Sequence, residues 1–131
     1  MIHQMKINLS IREYKTILVV DDNGINRLLP GLILRPFGFT IYECVNGFDA
    51  IQLLRKIPIS AVLLDISMPG MSGVDVLKSI RSVETAQAVT VIAYTTVATK
   101  IEEHALLTLG FDAVLLKPIS SEKLLAILRN P

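Results

Sequence analysis

Five short apolar runs recur along the chain, and each is followed by a segment whose apolar residues have helical spacing. Continuously apolar runs of this length are typical of strands buried on both faces. The runs lie at residues 16–20, 39–45, 60–64, 89–94 and 113–116. Because a helical segment separates each run from the next, the pattern predicts an α/β domain in which helices cover both faces of a five-stranded parallel sheet.

The starts of the five helices are predicted mainly from residues that can cap a helix. These starts are Asn23, Asp49, Ser72, Thr99 and Ser120 or Ser121. The apolar residues at helical spacing are Ile25, Leu28, Leu29, Leu32 and Ile33 in the first helix and Ile101, Ala105 and Leu109 in the fourth. Pro30–Gly31 lies inside the first helix, where an interior proline costs about 3 kcal/mol. We therefore expect that helix to be kinked, short or poorly ordered.

Two glycine-containing segments are predicted to be turns. Asn46–Gly47 separates the second strand from the second helix. Pro69, Gly70 and Gly73 follow the third strand; proline fixes φ and glycine tolerates positive φ, so the chain is expected to turn sharply out of the sheet there.

Polar functional groups follow four of the five predicted strands. Asp21 and Asp22 follow the first, Asp65 the third, Thr95 the fourth and Lys117 the fifth. Right-handed crossovers bring the carboxyl ends of parallel strands to one edge of the sheet. Helix capping and turn formation are an alternative role for each residue alone, but the whole set predicts a common site.

The residue types at this edge point to phosphoryl chemistry. Three carboxylates repel one another unless a cation joins them, and ligation by oxygen alone suits Mg²⁺. Asp65 can serve as both ligand and nucleophile, because a carboxylate that attacks phosphorus gives an acyl phosphate. The Lys117 ammonium and the Thr95 hydroxyl would then contact the phosphoryl oxygens.

Four motifs in this order resemble the receiver domain of two-component response regulators, over about residues 16–129. They lie at 19–23 (VVDDN), 64–70 (LDISMPG), 93–95 (AYT) and 116–118 (LKP). The resemblance implies a flavodoxin-like (βα)5 three-layer sandwich with strand order 2-1-3-4-5. Residues 23–27 and 117–119 look most like receivers attached to hybrid sensor histidine kinases.

The resemblance also implies the roles of the site residues. Asp65 would be the phosphoacceptor that takes a phosphoryl group from the phosphohistidine of a histidine kinase or a histidine phosphotransfer domain. Mg²⁺ would be bound by Asp22, Asp65 and the main-chain carbonyl of Ser67, with Asp21 supporting it through water. Lys117–Pro118 would be a cis peptide, and the first helix would face the phosphodonor. The domain would then be a signalling switch or phosphorelay member that assists its own phosphotransfer and dephosphorylation, not an enzyme with an external substrate.

Two residues depart from the receiver pattern, and two other functions stay open. Val114 stands where receivers carry a switching Tyr or Phe. Tyr94 is an alternative for that role, although its position in a strand favours a packing residue. Thr96 stands where Ala or Gly is usual. A receiver-like module that binds partners without phosphorylation is one rival function. A haloacid-dehalogenase-type phosphohydrolase is the other, although its Asp-x-Asp motif does not match the adjacent acids Asp21 and Asp22.

Composition limits the partners and the compartment. The formal net charge of +1 comes without clusters of Lys and Arg, which argues against a nucleic-acid surface. No apolar stretch reaches the roughly 18 residues of a membrane span. Residues 1–15 are predicted to be a tail or linker before a domain at 16–131. One cysteine, Cys44, favours a reducing cytoplasm. A mean hydropathy of +0.53 suggests apolar surface for a partner, and leaves a homodimer open.

Overall fold

All five predicted strands are present, and they form one parallel sheet. The computed structural model describes residues 15–96 and 99–129, so the predicted tail lies outside the described residues except for Lys15. The strands are β1 Thr16–Val20, β2 Thr40–Cys44, β3 Ala61–Asp65, β4 Thr90–Thr95 and β5 Ala113–Leu116. Their order is β2-β1-β3-β4-β5, which confirms the order that the resemblance implied.

Five α-helices follow the strands in the described part of the chain. They are α1 Gly24–Leu34, α2 Gly47–Lys56, α3 Gly73–Ser82, α4 Lys100–Leu109 and α5 Ser121–Arg129. Asn23, Ser72 and Thr99 cap three of them as predicted, each accepting a backbone N–H three residues ahead. The predicted turn at Asn46–Gly47 is instead the start of α2, because the Asn46 side chain accepts the Asp49 N–H and caps the helix.

The sheet separates two hydrophobic clusters. Side chains of successive strand residues alternate between the faces. Leu18, Val62 and Val91 pack against α2, α3 and α4 on one face. Ile17, Leu63 and Ile92 pack against α1 and α5 on the other. The result is the predicted three-layer sandwich, in which all of these strand side chains are removed from water.

Helix α1 is neither short nor oriented as its apolar spacing suggests. It is continuous for 11 residues through Pro30–Gly31. The fixed φ of proline is compatible with a helix, so the ring removes one backbone hydrogen bond without ending the helix here. The buried residues are Pro30, Gly31 and Leu34. Three apolar residues on a different face of the helix are exposed instead, namely Ile25 (70% exposed), Leu28 and Leu32.

Helix α4 shows the same reversal. Leu106 is its buried residue, whereas Ile101 is 82% exposed, and Ala105 and Leu109 are exposed as well. The spacing of Ile101, Ala105 and Leu109 therefore marks the solvent face of the helix. Within the described residues, no helix combines the length and apolar character needed to cross a membrane.

Candidate functional site

The polar residues at the strand ends meet at one edge of the sheet. Asp21 follows β1, Asp65 is the last residue of β3, Thr95 is the last of β4, and Lys117 follows β5. The buried polar or charged residues of 15–96 and 99–129 are Asp21, Asp65 and Thr95. Open α/β sheets commonly bind their ligands at this edge, where the carboxyl ends of the parallel strands lie.

The Lys117 amine lies between two carboxylates. Its Nζ is 2.7 Å from Asp21 Oδ2 and 3.5 Å from Asp65 Oδ1, and its side chain is only 7% exposed. The Lys117 backbone N–H donates to the Thr95 carbonyl at 2.7 Å, which ties the end of β5 to the end of β4. The Lys117–Pro118 peptide is cis, as the resemblance implied.

Three acidic residues are grouped around this amine. Asp21, Asp22 and Asp65 each offer a carboxylate oxygen, and these oxygens lie within 4.8 Å of one another. Asp22 is exposed, whereas the other two are buried. The predicted grouping of carboxylates from two separate parts of the chain is therefore present.

Backbone N–H groups orient the two buried carboxylates. The Ser67 N–H donates to Asp65 Oδ1 at 3.0 Å, and the Asn23 N–H donates to Asp21 Oδ1 at 2.9 Å. In each case the donor is two residues beyond the acid, so the loop that leaves the strand also holds its carboxylate.

Burial and charge oppose each other at Asp65. Removal from water raises the pKa of the Asp65 carboxyl, and the neighbouring Asp21 carboxylate raises it further. The Ser67 N–H and the Lys117 ammonium act in the opposite direction, but burial dominates. A cation at this site would therefore stabilise the ionised form of Asp65.

The loop after Asp65 depends on two glycines for different reasons. Gly70 has a φ of +84°, as predicted for a turn. Gly73 does not have a positive φ, so that part of the prediction is wrong. A Cβ at Gly73 would lie 2.5 Å from Ile66 Cα and 2.7 Å from the Asp65 carbonyl oxygen. Gly73 is needed because α3 starts directly against the backbone that carries Asp65.

We expect Gly73→Ala to destabilise the protein by about 2 kcal/mol, because backbone atoms cannot move aside as a flexible side chain can. The measurement is the free energy of unfolding in urea. Gly24→Ala is the matched control: Gly24 also begins a helix, but its added Cβ would meet nothing closer than 3.9 Å. Equal stability of the two variants would contradict the close approach.

Tyr94 and Val114 lie on opposite faces of the sheet. Tyr94 pairs with Asp65 on one side and with Leu115 on the other, and it belongs to the cluster under α1 and α5. Val114 packs against the cluster under α2, α3 and α4. Tyr94 therefore does not occupy the place of an aromatic side chain at position 114. It is fully buried, and the Lys117 Nζ lies 4.8 Å from the centre of its ring.

The sequence matches the profile of the response regulator receiver domain over residues 17–129. The chain belongs to this family. Sensor histidine kinase GacS of Pseudomonas protegens is 36% identical over 111 residues, which cover 82% of this chain but 12% of GacS. Polar-differentiation response regulator DivK of Brucella anthropi is 28% identical over 116 residues, covering 88% of this chain and 94% of DivK.

A solved structure of a related receiver domain has the same fold. The receiver domain of sensor histidine kinase PA1611 from Pseudomonas aeruginosa PAO1 matches this one with a TM-score of 0.79 at 28% identity, covering 88% of this chain and 94% of that one. That structure has a magnesium ion coordinated in its active site cleft. The relatives thus include both hybrid sensor kinases and a response regulator about the size of this receiver domain.

The contacts of Arg27 and of Tyr94 at the receiver site were not predicted. Arg27 Nη1 donates to the Asp21 carbonyl at 2.9 Å, while Nε is 3.4 Å from Glu43 Oε1. The placement of Arg27 follows from the Asn23 cap, since one turn of helix brings position 27 back over the end of β1. The contact between Lys117 and Tyr94 joins β4 to the residue that follows β5. No local pattern in the sequence indicates it.

Proposed function

We propose that this receiver domain accepts a phosphoryl group from a phosphohistidine onto Asp65. The observation that supports this most directly is the Lys117 amine, which lies within 3.5 Å of both the Asp21 and the Asp65 carboxylates at the open edge of the sheet. A buried ammonium beside a candidate nucleophile provides positive charge where phosphoryl oxygens would develop negative charge. Thr95 lies at the end of the neighbouring strand. Its hydroxyl is proposed to donate a hydrogen bond to the same phosphoryl group.

The acidic cluster fits Mg²⁺. The donors are all oxygens, which a hard divalent cation prefers, and the exposure of Asp22 leaves room for water ligands. We assign Asp22, Asp65 and the Ser67 carbonyl as its ligands. Asp21 is already engaged by Lys117 and the Asn23 N–H, so we assign it to a contact through water. When bound, the ion would neutralise charge on the phosphoryl oxygens.

The proposed reaction is a single displacement at phosphorus. An oxygen of the Asp65 carboxylate forms a bond to phosphorus while the phosphorus–nitrogen bond of the phosphohistidine breaks. The electron pair stays on the imidazole nitrogen, and the product on Asp65 is an acyl phosphate. Attack of water on the phosphorus of that acyl phosphate breaks its bond to the Asp65 oxygen, releases inorganic phosphate and returns the carboxylate. We propose that the same site assists this dephosphorylation.

Incubation with acetyl phosphate and Mg²⁺, followed by intact mass spectrometry, tests this function. We expect one added phosphoryl group per chain, and none when a chelator removes the metal. A phosphorylation-independent binding module would gain no mass. A phosphohydrolase would instead turn over a phosphate ester such as p-nitrophenyl phosphate many times.

The proposed phosphodonor is a histidine kinase or a histidine phosphotransfer domain that docks on α1. Ile25, Leu28 and Leu32 form an exposed apolar stripe, and α1 begins two residues after Asp22. A partner seated on this stripe would therefore have its histidine beside the acidic cluster. Exposed apolar residues grouped in this way are typical of interaction surfaces.

We expect Leu28→Glu to slow phosphotransfer from a phosphorylated histidine domain at least about tenfold, because a charge would be buried at the contact. The rate with acetyl phosphate should not change, since this donor needs no docking surface. The histidine domain that reacts fastest with the wild-type protein in a panel serves as the donor. Phe48→Glu on α2 is the matched control, because Phe48 is an exposed apolar residue outside both proposed contact surfaces; an equal loss in both variants would contradict docking on α1.

We also propose self-association through α4 and the edge strand β5. Ile101, Leu109 and Leu116 are exposed there, and a second copy would remove them from water. Sedimentation at increasing protein concentration measures this self-association, with Ile101→Glu as the disrupting variant.

A cytoplasmic location is proposed as well. Cys44, which is free and partly buried in the structure, is compatible with a reducing compartment.

A further inference from the structure

The Lys117 amine lies over the face of the Tyr94 ring. Tyr94 is in register with Asp65 on β3 and with Leu115 on β5, so it lies between the strand that carries the proposed nucleophile and the strand that leads to the lysine. The Lys117 Nζ is 4.8 Å from the ring centre. This distance is within the range in which the face of an aromatic ring attracts a cation.

Hydrogen bonding does not account for a tyrosine at this position. The Tyr94 side chain is fully buried, and its hydroxyl has no hydrogen-bond partner among the described residues. Burial, with the Asp21 and Asp65 carboxylates nearby, raises the pKa of Tyr94 to about 12, so the phenol is neutral near pH 7 and adds no further negative charge to the site. What Tyr94 offers to the site is therefore the face of its ring.

The ring complements the contacts that the carboxylates make with the amine. A lysine side chain has four flexible methylene groups, and its ammonium can turn toward any nearby acceptor. Asp21 and Asp65 hold it from their side at 2.7 and 3.5 Å. The Asp65 carboxylate is the group that the proposed reaction modifies, whereas the Tyr94 ring takes no part in it.

We propose that Tyr94 is a positioning residue for Lys117: the face of its ring holds the ammonium at the edge of the sheet where Asp65 accepts the phosphoryl group. This inference rests on the proposed function of Asp65 and Lys117. It assigns Tyr94 a role different from that of a switching aromatic at position 114, because the two side chains lie on opposite faces of the sheet.

Two substitutions separate the ring from its hydroxyl. Tyr94→Phe keeps the ring, so we expect the rate of phosphorylation by acetyl phosphate in Mg²⁺ to stay within about twofold of wild type. Tyr94→Leu removes the ring face, and we expect that rate to fall about tenfold because the amine is no longer held. Leu115→Val is the control for packing: Leu115 is buried in the same cluster beside Tyr94, and its rate should equal that of wild type.

The NMR signals of the Lys117 side chain provide a readout that does not depend on phosphorylation. Protons on its ε-carbon lie near the ring and should be shifted upfield by the ring current in the wild-type protein and in Tyr94→Phe. The shift should be absent in Tyr94→Leu and unchanged in Leu115→Val. A merely structural role would lower the unfolding temperature in both Tyr94→Leu and Leu115→Val without separating their phosphorylation rates.

The outcomes distinguish this inference from the function on which it rests. If the wild-type protein takes up a phosphoryl group and Tyr94→Leu does so equally fast, Tyr94 does not position Lys117. If the wild-type protein takes up none, the proposed function fails, and the chemical shifts alone decide: no upfield shift in the wild-type protein overturns the inference. If Tyr94→Leu does not fold, Tyr94→Met replaces it with an unbranched side chain of similar length.

Discussion

Asp65→Asn is expected to reduce phosphoryl uptake from acetyl phosphate to an undetectable level. An amide is a far weaker nucleophile than a carboxylate, and it would also replace a negatively charged metal ligand with a neutral one. The substitution keeps the size of the side chain and the oxygen that accepts the Ser67 N–H. The measurement is intact mass after incubation with acetyl phosphate and Mg²⁺.

The same variant should remain folded, so loss of uptake would not reflect unfolding. Burial and the neighbouring Asp21 carboxylate disfavour the charged form of Asp65, and an amide avoids that cost. We therefore expect the metal-free variant to be at least as stable as the wild-type protein. Asp75→Asn, an exposed acid in the first turn of α3, is the matched control and should be phosphorylated normally. Persistent labelling of Asp65→Asn would place the acceptor elsewhere.

Lys117→Met is expected to destabilise the metal-free protein by about 3–5 kcal/mol, which is the usual cost of removing one partner from a buried ion pair. The Asp21 side chain is fully buried and the Lys117 side chain nearly so. Methionine fills a similar volume, so the loss comes from carboxylates left without a cation. The free energy of unfolding in a chelating buffer measures this effect.

Added Mg²⁺ should recover more stability in Lys117→Met than in the wild-type protein, because the ion would supply the positive charge that the variant lacks. Lys123→Met on the exposed side of α5 is the matched control and should change stability by less than about 0.5 kcal/mol. If Lys117→Met is as stable as Lys123→Met in the chelating buffer, the ion pairs do not stabilise the fold.

The strands could be predicted because each is rich in apolar residues between turn signals. The inner strands β1, β3 and β4 are buried on both faces, whereas the edge strand β2 is only partly buried. β1 and β5 match their predicted bounds, and the other three differ from them by one residue at each end. The acids, threonine and lysine directly after these strands could then be placed at one edge, because the handedness of crossover connections leaves little choice. The convergence of Asp21, Asp65 and Lys117 follows from chain order and this rule.

The buried faces of α1 and α4 could not be predicted from apolar spacing. Both helices carry apolar residues on two faces, and only packing decides which face meets the sheet. In α1 the buried residues are Pro30, Gly31 and Leu34, whereas Leu28 is exposed. The Lys117–Tyr94 contact was likewise missed, because it joins segments that are far apart in sequence. The close approach at Gly73 was missed because it depends on how the turn after β3 brings α3 back to the strand.

The two exposed apolar stripes lie on opposite sides of the sheet: α1 shares its side with α5, and α4 shares its side with α2 and α3. A phosphodonor over Leu28 and a second copy over Ile101 would therefore not compete for space. Under these two proposals, a donor and a second copy would occupy one ternary assembly, and the donor would not have to leave before the second copy binds.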